Sequence, residues 1–551
     1  MDEIFNAAEA KAWLPAGVYC AVKMEQGVLS IITDSTAQYS LIVFRSHHLE
    51  IFSNSLPLLE ACLIELGIPV TRTMETALCE SAVGTAPLPQ TGLLEVSRIE
   101  SPAYFKVDCE SGVSTSLTLP DPFRSGTPVS LDKACEHLTA SVTSIIKRGN
   151  TVFDLTGGLD SRLIVAAATA TGEKDWRVYR PVDGSGPIRD RVIRDRIIRS
   201  HHFPGSEFSE NDDATSTTSL LQARRAAFRH QGLNTLVIDF LGKGRFDFAS
   251  RVRGGGGEAM RDFYVHPRLS LTKKSLRFWK KALANRRSKM LGLASSVPFV
   301  GMVGLPLAVE QMKKRIKWQG TYLTQDYHQK LARMFESELD ESVMAGAQSD
   351  YFFSDWYMHS RHSRQIGFNS QLRNLSHASF EPLIDPVLIN FARGYSLSDR
   401  QQAKPIYDLM VRFNAEMAAF PVVRTGSTYE PCFKALPAGE ETIENTDDAV
   451  FNLSNIPGVT PPILTDQIGH QPTELGSTAR NYLAEAIEGL PLHHDLFDCL
   501  SREQLLGGLR LFKKAAPAPF LDKAAYRLLL GLIWINGDEL TQGISRRIGP
   551  S

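Results

Sequence analysis

The sequence lacks an excess of charge of either sign, because 60 lysine and arginine residues stand against 61 aspartate and glutamate residues and leave a formal net charge of -1. A chain without such an excess produces no field that would gather a polyanion over its whole surface. We therefore predict no nucleic-acid partner.

Paired cysteine motifs are also missing. The chain has 7 cysteines in 551 residues, with neither a CxxC pair nor a zinc-like spacing. Scattered thiols in odd number are typical of a reducing compartment. Residues 1–5 show no basic segment before an apolar stretch, so they predict neither a secretory signal nor a transit peptide. Together these absences predict a cytoplasmic protein.

What is present is the composition of an ordinary folded protein, with 43% hydrophobic, 22% charged and 9% aromatic residues. At 551 residues the chain exceeds the usual size of a single core. A stretch dense in proline, glycine and serine at 119–128 is typical of an interdomain connector. We predict a smaller α+β domain over residues 1–120 and a larger domain over residues 121–551.

The smaller domain shows short apolar runs separated by turns, between residues 17 and 108. The runs 17–24 and 28–33 flank a single turn, which predicts an antiparallel hairpin, and residues 56–66 have the spacing of an amphipathic helix. The pattern indicates antiparallel sheet with an added helix.

The larger domain begins with alternating helix and strand patterns. Helical spacing over 131–146 is followed by a short apolar strand at 151–155, a glycine turn, a helix over 161–171 and a strand at 176–179. This alternation predicts an α/β fold with a doubly wound parallel sheet, whose ligand site lies at the carboxyl ends of the strands. Beyond residue 380 the chain is predicted to be mainly helical, including 386–392, 407–417, 477–487 and 523–533.

The glycine turn reads Thr156-Gly157-Gly158-Leu159-Asp160-Ser161. Two adjacent glycines let the backbone present successive N–H groups to an anion beside a helix N-terminus. The hydroxyls of Thr156 and Ser161 can donate further hydrogen bonds, and Asp160 can hold a Mg²⁺ ion that bridges phosphate oxygens. A bare Gly-Gly pair most often only joins a strand to a helix, so the predicted phosphate site depends on all six positions together.

A second glycine-rich segment occupies residues 253–264, where four glycines lead into Glu258. The glycines allow another close backbone approach, and Glu258 offers a second carboxylate for the metal. The alternative is a flexible linker, which the following Glu-Ala-Met-Arg-Asp-Phe-Tyr disfavours. We predict a two-part site.

The first motif resembles the SGGxDS signature of PP-loop ATP pyrophosphatases, with Thr156 in place of the first serine. The second resembles the SGxGxDExxxGY segment of the asparagine synthetase superfamily, and residues 381–386 are similar to its Arg-x-Pro-Phe-Leu-Asp signature. The resemblance covers residues 131–430. It implies ATP and Mg²⁺ as cofactors, Asp160 and Glu258 as catalytic metal ligands, and a nucleotide site formed by Leu155, Thr156, Gly157, Gly158, Asp160, Ser161, Gly255, Gly256 and Gly257.

Three departures from that superfamily bear on the reaction. Asp2 stands where the family's glutaminase has its catalytic cysteine, so the resemblance implies an amidotransferase-like β-sandwich over residues 1–120 without glutamine hydrolysis. Arg424 stands where β-lactam synthetase uses a catalytic lysine, and it either stabilises developing negative charge or is an ordinary surface arginine. Leu383 lies where the tyrosine of the β-lactam synthetase dyad is expected, which disfavours β-lactam formation.

A basic and apolar segment at 268–317 lies outside these motifs. No acidic residue occurs between Asp262 and Glu310, and an uncharged run at 291–309 is flanked by lysines and arginines. Such a pattern suits contact with a membrane surface, an acidic peptide or a carrier protein. A buried loop capped by solvated lysines is the simpler alternative and is favoured, since the prolines and glycines in the run are unsuited to a spanning helix.

The resemblance implies an ATP- and Mg²⁺-dependent, AMP-forming amide synthetase that joins a small-molecule or peptide carboxylate to an amine in natural-product biosynthesis. Intramolecular ring closure, of the lasso-peptide cyclase or β-lactam synthetase type, is an alternative. Two further alternatives are a silent scaffold that binds a partner through residues 268–317, and adenylation of a nucleobase for thiolation. The oligomeric state, with a homodimer as one option, is left open.

Overall fold

The computed structural model describes a defined part of the chain. It covers residues 2–9, 17–36, 38–83, 90–99, 103–119, 128–181, 188–208, 249–261, 323–344 and 377–420, together with residue 422 and runs of one to three residues within 358–374 and 483–532. Of the helices predicted at 477–487 and 523–533, only separate helical positions fall within this part.

Two antiparallel sheets form the N-terminal portion. The larger has the strand order β1-β2-β6-β7 and the smaller the order β4-β3-β5. The elements here are α1 (Asp2–Glu9), β1 (Cys20–Glu25), β2 (Val28–Thr33), β3 (Ile42–Arg45), β4 (Glu50–Ser53), α2 (Leu56–Glu65), α3 (Glu75–Val83), β5 (Val96–Arg98), β6 (Ala103–Asp108) and β7 (Ser114–Thr118). The predicted antiparallel hairpin is confirmed, and its turn has positive φ at Gln26 and Gly27, as a two-residue hairpin loop requires.

The two antiparallel sheets pack face to face between helices. Ile31 of β2, Val43 of β3 and Phe105 of β6 share one buried apolar cluster, which joins the sheets. On the outer face of the larger sheet, α1 buries Phe5, and on the outer face of the smaller sheet, α2 buries Leu59. These described elements therefore form four layers in the order helix, sheet, sheet, helix.

A five-stranded, wholly parallel sheet forms the second portion, with the order β10-β9-β8-β11-β12. Its strands are β8 (Thr151–Asp154), β9 (Trp176–Pro181), β10 (Gly205–Phe208), β11 (Ser250–Val252) and β12 (Ala378–Phe380). The chain runs outward from β8 to β10 and then resumes on the other side of β8 with β11. The order thus reverses between β8 and β11, and such a reversal opens a crevice at the carboxyl ends of the strands.

Helices cover one face of this sheet. Phe153, Val178 and Val252 point into a core that they share with several helices, including α4 (Leu131–Ile146), α5 (Asp160–Ala170), α9 (Pro386–Arg393) and α11 (Lys404–Phe413). The other helices within the described residues of the larger portion are α6 (Ile188–Ser200), α7 (Gly257–Met260), α8 (Gln325–Met344), α10 (Leu397–Gln401) and α12 (Ala415–Ala419).

The predicted helix over 407–417 is wrong at both ends. Helix α11 begins earlier, at Lys404, and stops before Asn414. Asn414 has an extended backbone, and its side-chain oxygen accepts a hydrogen bond from the backbone N–H of Met417 at 2.9 Å. This cap starts α12, so one continuous apolar pattern spans two helices.

Candidate active site

The predicted phosphate loop leaves the carboxyl end of β8 and enters α5 directly. Leu155 is buried, and the loop is closed by hydroxyl contacts. The Oγ1 of Thr156 and the Oγ of Ser161 lie 2.9 Å apart, and they accept hydrogen bonds from the backbone nitrogens of Gly158 (3.0 Å) and Thr156 (3.1 Å), respectively. The two hydroxyls predicted as phosphate donors therefore also fix the shape of the loop.

A buried arginine that the sequence reasoning missed supports this loop from below. Arg162 is fully buried and donates from Nη2 to the carbonyl of Gly157 at 3.0 Å and from Nη1 to the carbonyl of Phe420 at 2.8 Å. It thereby ties the glycine turn to the residue that follows α12. The sequence did contain one sign of this role, because Arg162 precedes a run of apolar residues in a helix that is predicted to be buried.

Replacing Arg162 with methionine should lower the free energy of unfolding by about 2 to 4 kcal/mol, because two buried carbonyl groups lose a charged donor. Urea denaturation measures this change. The exposed Arg412, 3.4 Å from Asp132, provides the control, and Arg412→Met should cost less than about 1 kcal/mol. Equal losses in the two variants would contradict the role given to Arg162.

The second glycine-rich segment follows β11, the neighbour of β8, and lies against the first. A Cβ atom at Gly254 would stand 2.5 Å from the backbone nitrogen of Ser161, and one at Gly257 would overlap the carboxyl group of Asp160. Glycine is therefore needed at these two positions for the loops to approach each other. Gly255 lies against the Glu381 carboxylate, and Gly256 lies against Ile384.

This contact brings the two predicted metal ligands together. Asp160 Oδ2 accepts a hydrogen bond from Nη2 of Arg261 at 2.5 Å, whereas Asp160 Oδ1 and Glu258 Oε2 are buried and have no hydrogen-bond partner among the described residues. Burial raises the pKa of Asp160 to about 7; Arg261 opposes this shift and the charge of Glu258 adds to it. Two carboxylate oxygens without donors are what a bound cation would satisfy.

The donor set fits Mg²⁺ as this ion is usually bound. Among the described residues, no group of three or more His, Cys, Asp or Glu side chains could hold a metal ion. Mg²⁺ is commonly held by one or two carboxylates, with substrate phosphates and waters completing its six ligands. Asp160 and Glu258 would therefore supply the protein's share of such a site.

A third carboxylate lies beside Asp160 and Glu258. It belongs to Glu381, for which the sequence predicted no role. Glu381 follows β12 and accepts a hydrogen bond from the Ser370 hydroxyl at 3.0 Å, while its Oε2 lies 4.0 Å from the buried His362. Burial raises the pKa of Glu381 to about 7; Arg253 opposes this shift, and the charge of Glu258 reinforces it. No local pattern in the sequence connects these residues.

In the segment 381–386, Leu383 and Asp385 stabilise the fold. Leu383 is fully buried in the core, and Asp385 caps α9 by accepting a hydrogen bond from the backbone of Val387 at 2.7 Å. Its other oxygen lies 2.7 Å from Nε2 of His137, and this contact raises the pKa of that histidine. Asp385 therefore joins α9 to α4 and does not face the glycine loops.

The raised pKa of Glu381 predicts a pH-dependent stability. Its folded-state value lies above its unfolded value, so the folded chain binds the proton more tightly, and the contribution of Glu381 declines as the pH rises from 4.5 to about 7. Urea denaturation of wild type and Glu381→Gln across this range should show the wild type losing stability relative to the variant. A constant difference between the two would contradict the shift.

A buried ion-pair network lies next to Glu381, on the sheet face opposite the helical core. Arg251 donates to both oxygens of Asp154, at 2.7 and 3.3 Å, and Arg253 donates to Oδ2 at 3.2 Å. Burial alone would raise the pKa of Asp154, but the two guanidinium groups outweigh it and hold that pKa below its usual range. Arg251 also stacks on the Tyr179 ring, 4.0 Å from its centre.

Two predictions lie outside the described residues. They are the catalytic role of Arg424 and the membrane, peptide or carrier-protein contact through residues 268–317. No helix in the described part of the chain has both the length and the apolar character to cross a membrane.

No family model matches the chain, and no curated protein matches its sequence. The site is therefore defined by its geometry alone: two glycine loops in contact where the strand order reverses, with Asp160 and Glu258 between them.

Proposed function

We propose that this chain is an ATP- and Mg²⁺-dependent amide synthetase that activates a carboxylate as its adenylate and transfers the acyl group to an amine. One observation carries the proposal: the two glycine loops leave adjacent parallel strands, β8 and β11, and place Asp160 beside Glu258. A doubly wound PP-loop domain, preceded by an amidotransferase-like domain, is the fold that accounts for this arrangement.

The glycine loop and the first turn of α5 would bind the terminal phosphates of ATP. Backbone N–H groups at the start of a helix point outward, and the helix dipole favours negative charge there. Asp160 and Glu258 would hold Mg²⁺, which neutralises charge on the phosphates and on the leaving pyrophosphate. Arg162 keeps the Gly157 carbonyl turned inward, so that this oxygen does not face the phosphates.

In the reaction, an oxygen of the substrate carboxylate forms a bond to the α-phosphorus of ATP. The bond from that phosphorus to the bridging oxygen breaks, and pyrophosphate leaves with the electron pair. The amine then attacks the acyl carbon and loses a proton, and AMP leaves. The chain contributes positioning and electrostatic stabilisation.

The amine would come from a substrate and not from glutamine. Burial, reinforced by Asp34, raises the pKa of Cys20 at the start of β1 to about 11. A thiol with such a pKa is not nucleophilic near neutral pH. A small-molecule or peptide substrate, joined within one molecule or between two, is consistent with this account.

A silent scaffold is disfavoured by the buried acids themselves. Asp160 and Glu258 repel each other, and each keeps a buried oxygen to which no residue in the described part of the chain donates. Such an arrangement is unfavourable for folding unless a ligand satisfies it.

The test is product analysis with Mg·ATP over a panel of carboxylic acids and amines. We expect AMP, pyrophosphate and amide in equal amounts, and none of them when Mg²⁺ is removed with a chelator. Formation of ADP and phosphate instead would show a different reaction at the same site.

A further inference from the structure

Arg253 occupies a position at the site that the proposed mechanism leaves unused. It follows β11 directly, and its backbone N–H donates to the carbonyl of Phe380 at 2.8 Å. Val252 pairs with Phe153 on one side and with Phe380 on the other, so the next residues, Asp154, Arg253 and Glu381, form a row across three strand ends. The Arg253 guanidinium therefore lies between the Asp154 and Glu381 carboxylates, at the carboxyl ends of the strands.

The guanidinium of Arg253 is oriented by one hydrogen bond, and its terminal N–H groups remain available to a ligand. Only its Nε is bonded, to Asp154, and its terminal nitrogens make no hydrogen bond to another described residue. Its side chain is 26% exposed, against 16% for Asp154 and 7% for Arg251. Asp154 is held independently by Arg251, so it acts as a fixed support that aims Arg253 outward.

Arg253 is also close to the phosphate loop. Its neighbour Gly254 packs against the backbone nitrogen of Ser161 in the first turn of α5. A nucleotide whose terminal phosphates lie at that turn must extend along the strand ends, and β11 is the adjacent strand. A planar guanidinium with two open N–H edges matches phosphate oxygens.

The acidic residues around Arg253 create a need for positive charge at this place. Asp160, Glu258 and Glu381 are gathered within contact of one glycine loop, and Arg261 is already paired with Asp160. Without a further positive group, these acids would repel the phosphate at which negative charge develops during adenylation. Arg253 is the partly exposed cation that the described residues place there.

We propose that Arg253 binds an oxygen of the α-phosphate of the nucleotide, separately from the loop that binds the terminal phosphates. This inference rests on the proposed function. It assigns to a described residue the charge-stabilising role that the sequence predicted for Arg424.

Calorimetric titration of the full chain with two probes tests the assignment, namely AMP and inorganic pyrophosphate, each with Mg²⁺. AMP carries the α-phosphate alone, and pyrophosphate represents the β- and γ-phosphates of ATP. Arg253→Gln should weaken AMP binding about tenfold or more, since a charged hydrogen bond is lost, while pyrophosphate affinity changes less than about twofold. Arg253→Lys, which keeps the charge but not the fork, should fall between wild type and Arg253→Gln.

The matched control is Arg177→Gln, which removes the same charge from the same sheet. Arg177 contacts Asn150 at 2.6 Å, at the amino ends of the strands, so this variant should bind both probes as wild type does. Because Arg251 keeps Asp154 paired in Arg253→Gln, that variant should also unfold at the same urea concentration as wild type.

Unchanged AMP affinity in Arg253→Gln, or equal weakening of both probes, would overturn the assignment and leave the proposed function intact. If the wild-type chain bound neither probe, the proposed function would fail and the inference with it.

Discussion

Replacing Asp160 with asparagine is expected to reduce Mg²⁺- and ATP-dependent pyrophosphate release at least about 100-fold, because a metal ligand that neutralises phosphate charge contributes several kcal/mol to the transition state. The fold should survive. Burial already raises the pKa of Asp160 to about 7, so a neutral amide of the same shape replaces a carboxyl group that is partly protonated at neutral pH. Release of radiolabelled pyrophosphate and urea denaturation measure the two effects.

Asp132→Asn is the control for this variant. Asp132 and Asp160 each lie in the first turn of a helix, α4 and α5, so both substitutions remove one acid from a helix N-terminus. Asp132 is 77% exposed and lies 3.4 Å from the exposed Arg412, and its variant should retain wild-type turnover. Undiminished pyrophosphate release by Asp160→Asn would remove the metal assignment.

Gly257→Ala is expected to abolish Mg·ATP binding and to lower the free energy of unfolding by about 1 to 3 kcal/mol, the usual range for overpacking. A methyl group at this position would overlap the carboxyl group of Asp160, so the two loops would have to separate. Separation would displace Glu258, which is the next residue. Calorimetric titration with Mg·ATP measures the loss of binding, and urea denaturation measures the loss of stability.

The matched variant is Gly394→Ala, at the end of α9. Gly394 has an ordinary helical backbone, and within the described residues an added Cβ would meet the carbonyl of Phe391 alone, at 3.2 Å. It should bind Mg·ATP as tightly as wild type. If Gly257→Ala also kept its affinity, the contact between the loops would not matter for binding.

The local elements of the larger portion could be predicted from the sequence because short-range patterns encode them. Ser130 caps α4, the short strand at 151–154 is followed by a turn with two glycines, and α5 comes directly after that turn, so periodicity and capping residues suffice. The break at Asn414 was missed because apolar spacing continues across it, while a single side-chain hydrogen bond sets the boundary.

The pairing of the two glycine motifs needed more than local pattern. Each motif could be found in the sequence, but their contact follows from the placement of β11 next to β8, with about a hundred residues of chain between them. A long-range strand order of this kind leaves no trace in propensity or periodicity. Resemblance to a family with both motifs was the only sequence evidence that they meet.

The residues around the acids could not be predicted for the same reason. Arg253 reads as the start of a glycine-rich segment until its register with Asp154 is known, and Glu381 reads as a loop residue until Ser370 is seen beside it. Arg162 is hidden within a helix whose other buried residues are mostly apolar. In each case the charged side chain is held by a partner from another segment of the chain.

The most direct test of the central claim is a crystal structure of the full chain with Mg²⁺ and an ATP analogue whose α- and β-phosphorus atoms are joined by carbon. We expect terminal phosphates at the first turn of α5, Mg²⁺ between Asp160 and Glu258, and the α-phosphate facing Arg253. Nucleotide bound at any other place, or Asp160 and Glu258 turned away from its phosphates, would contradict it.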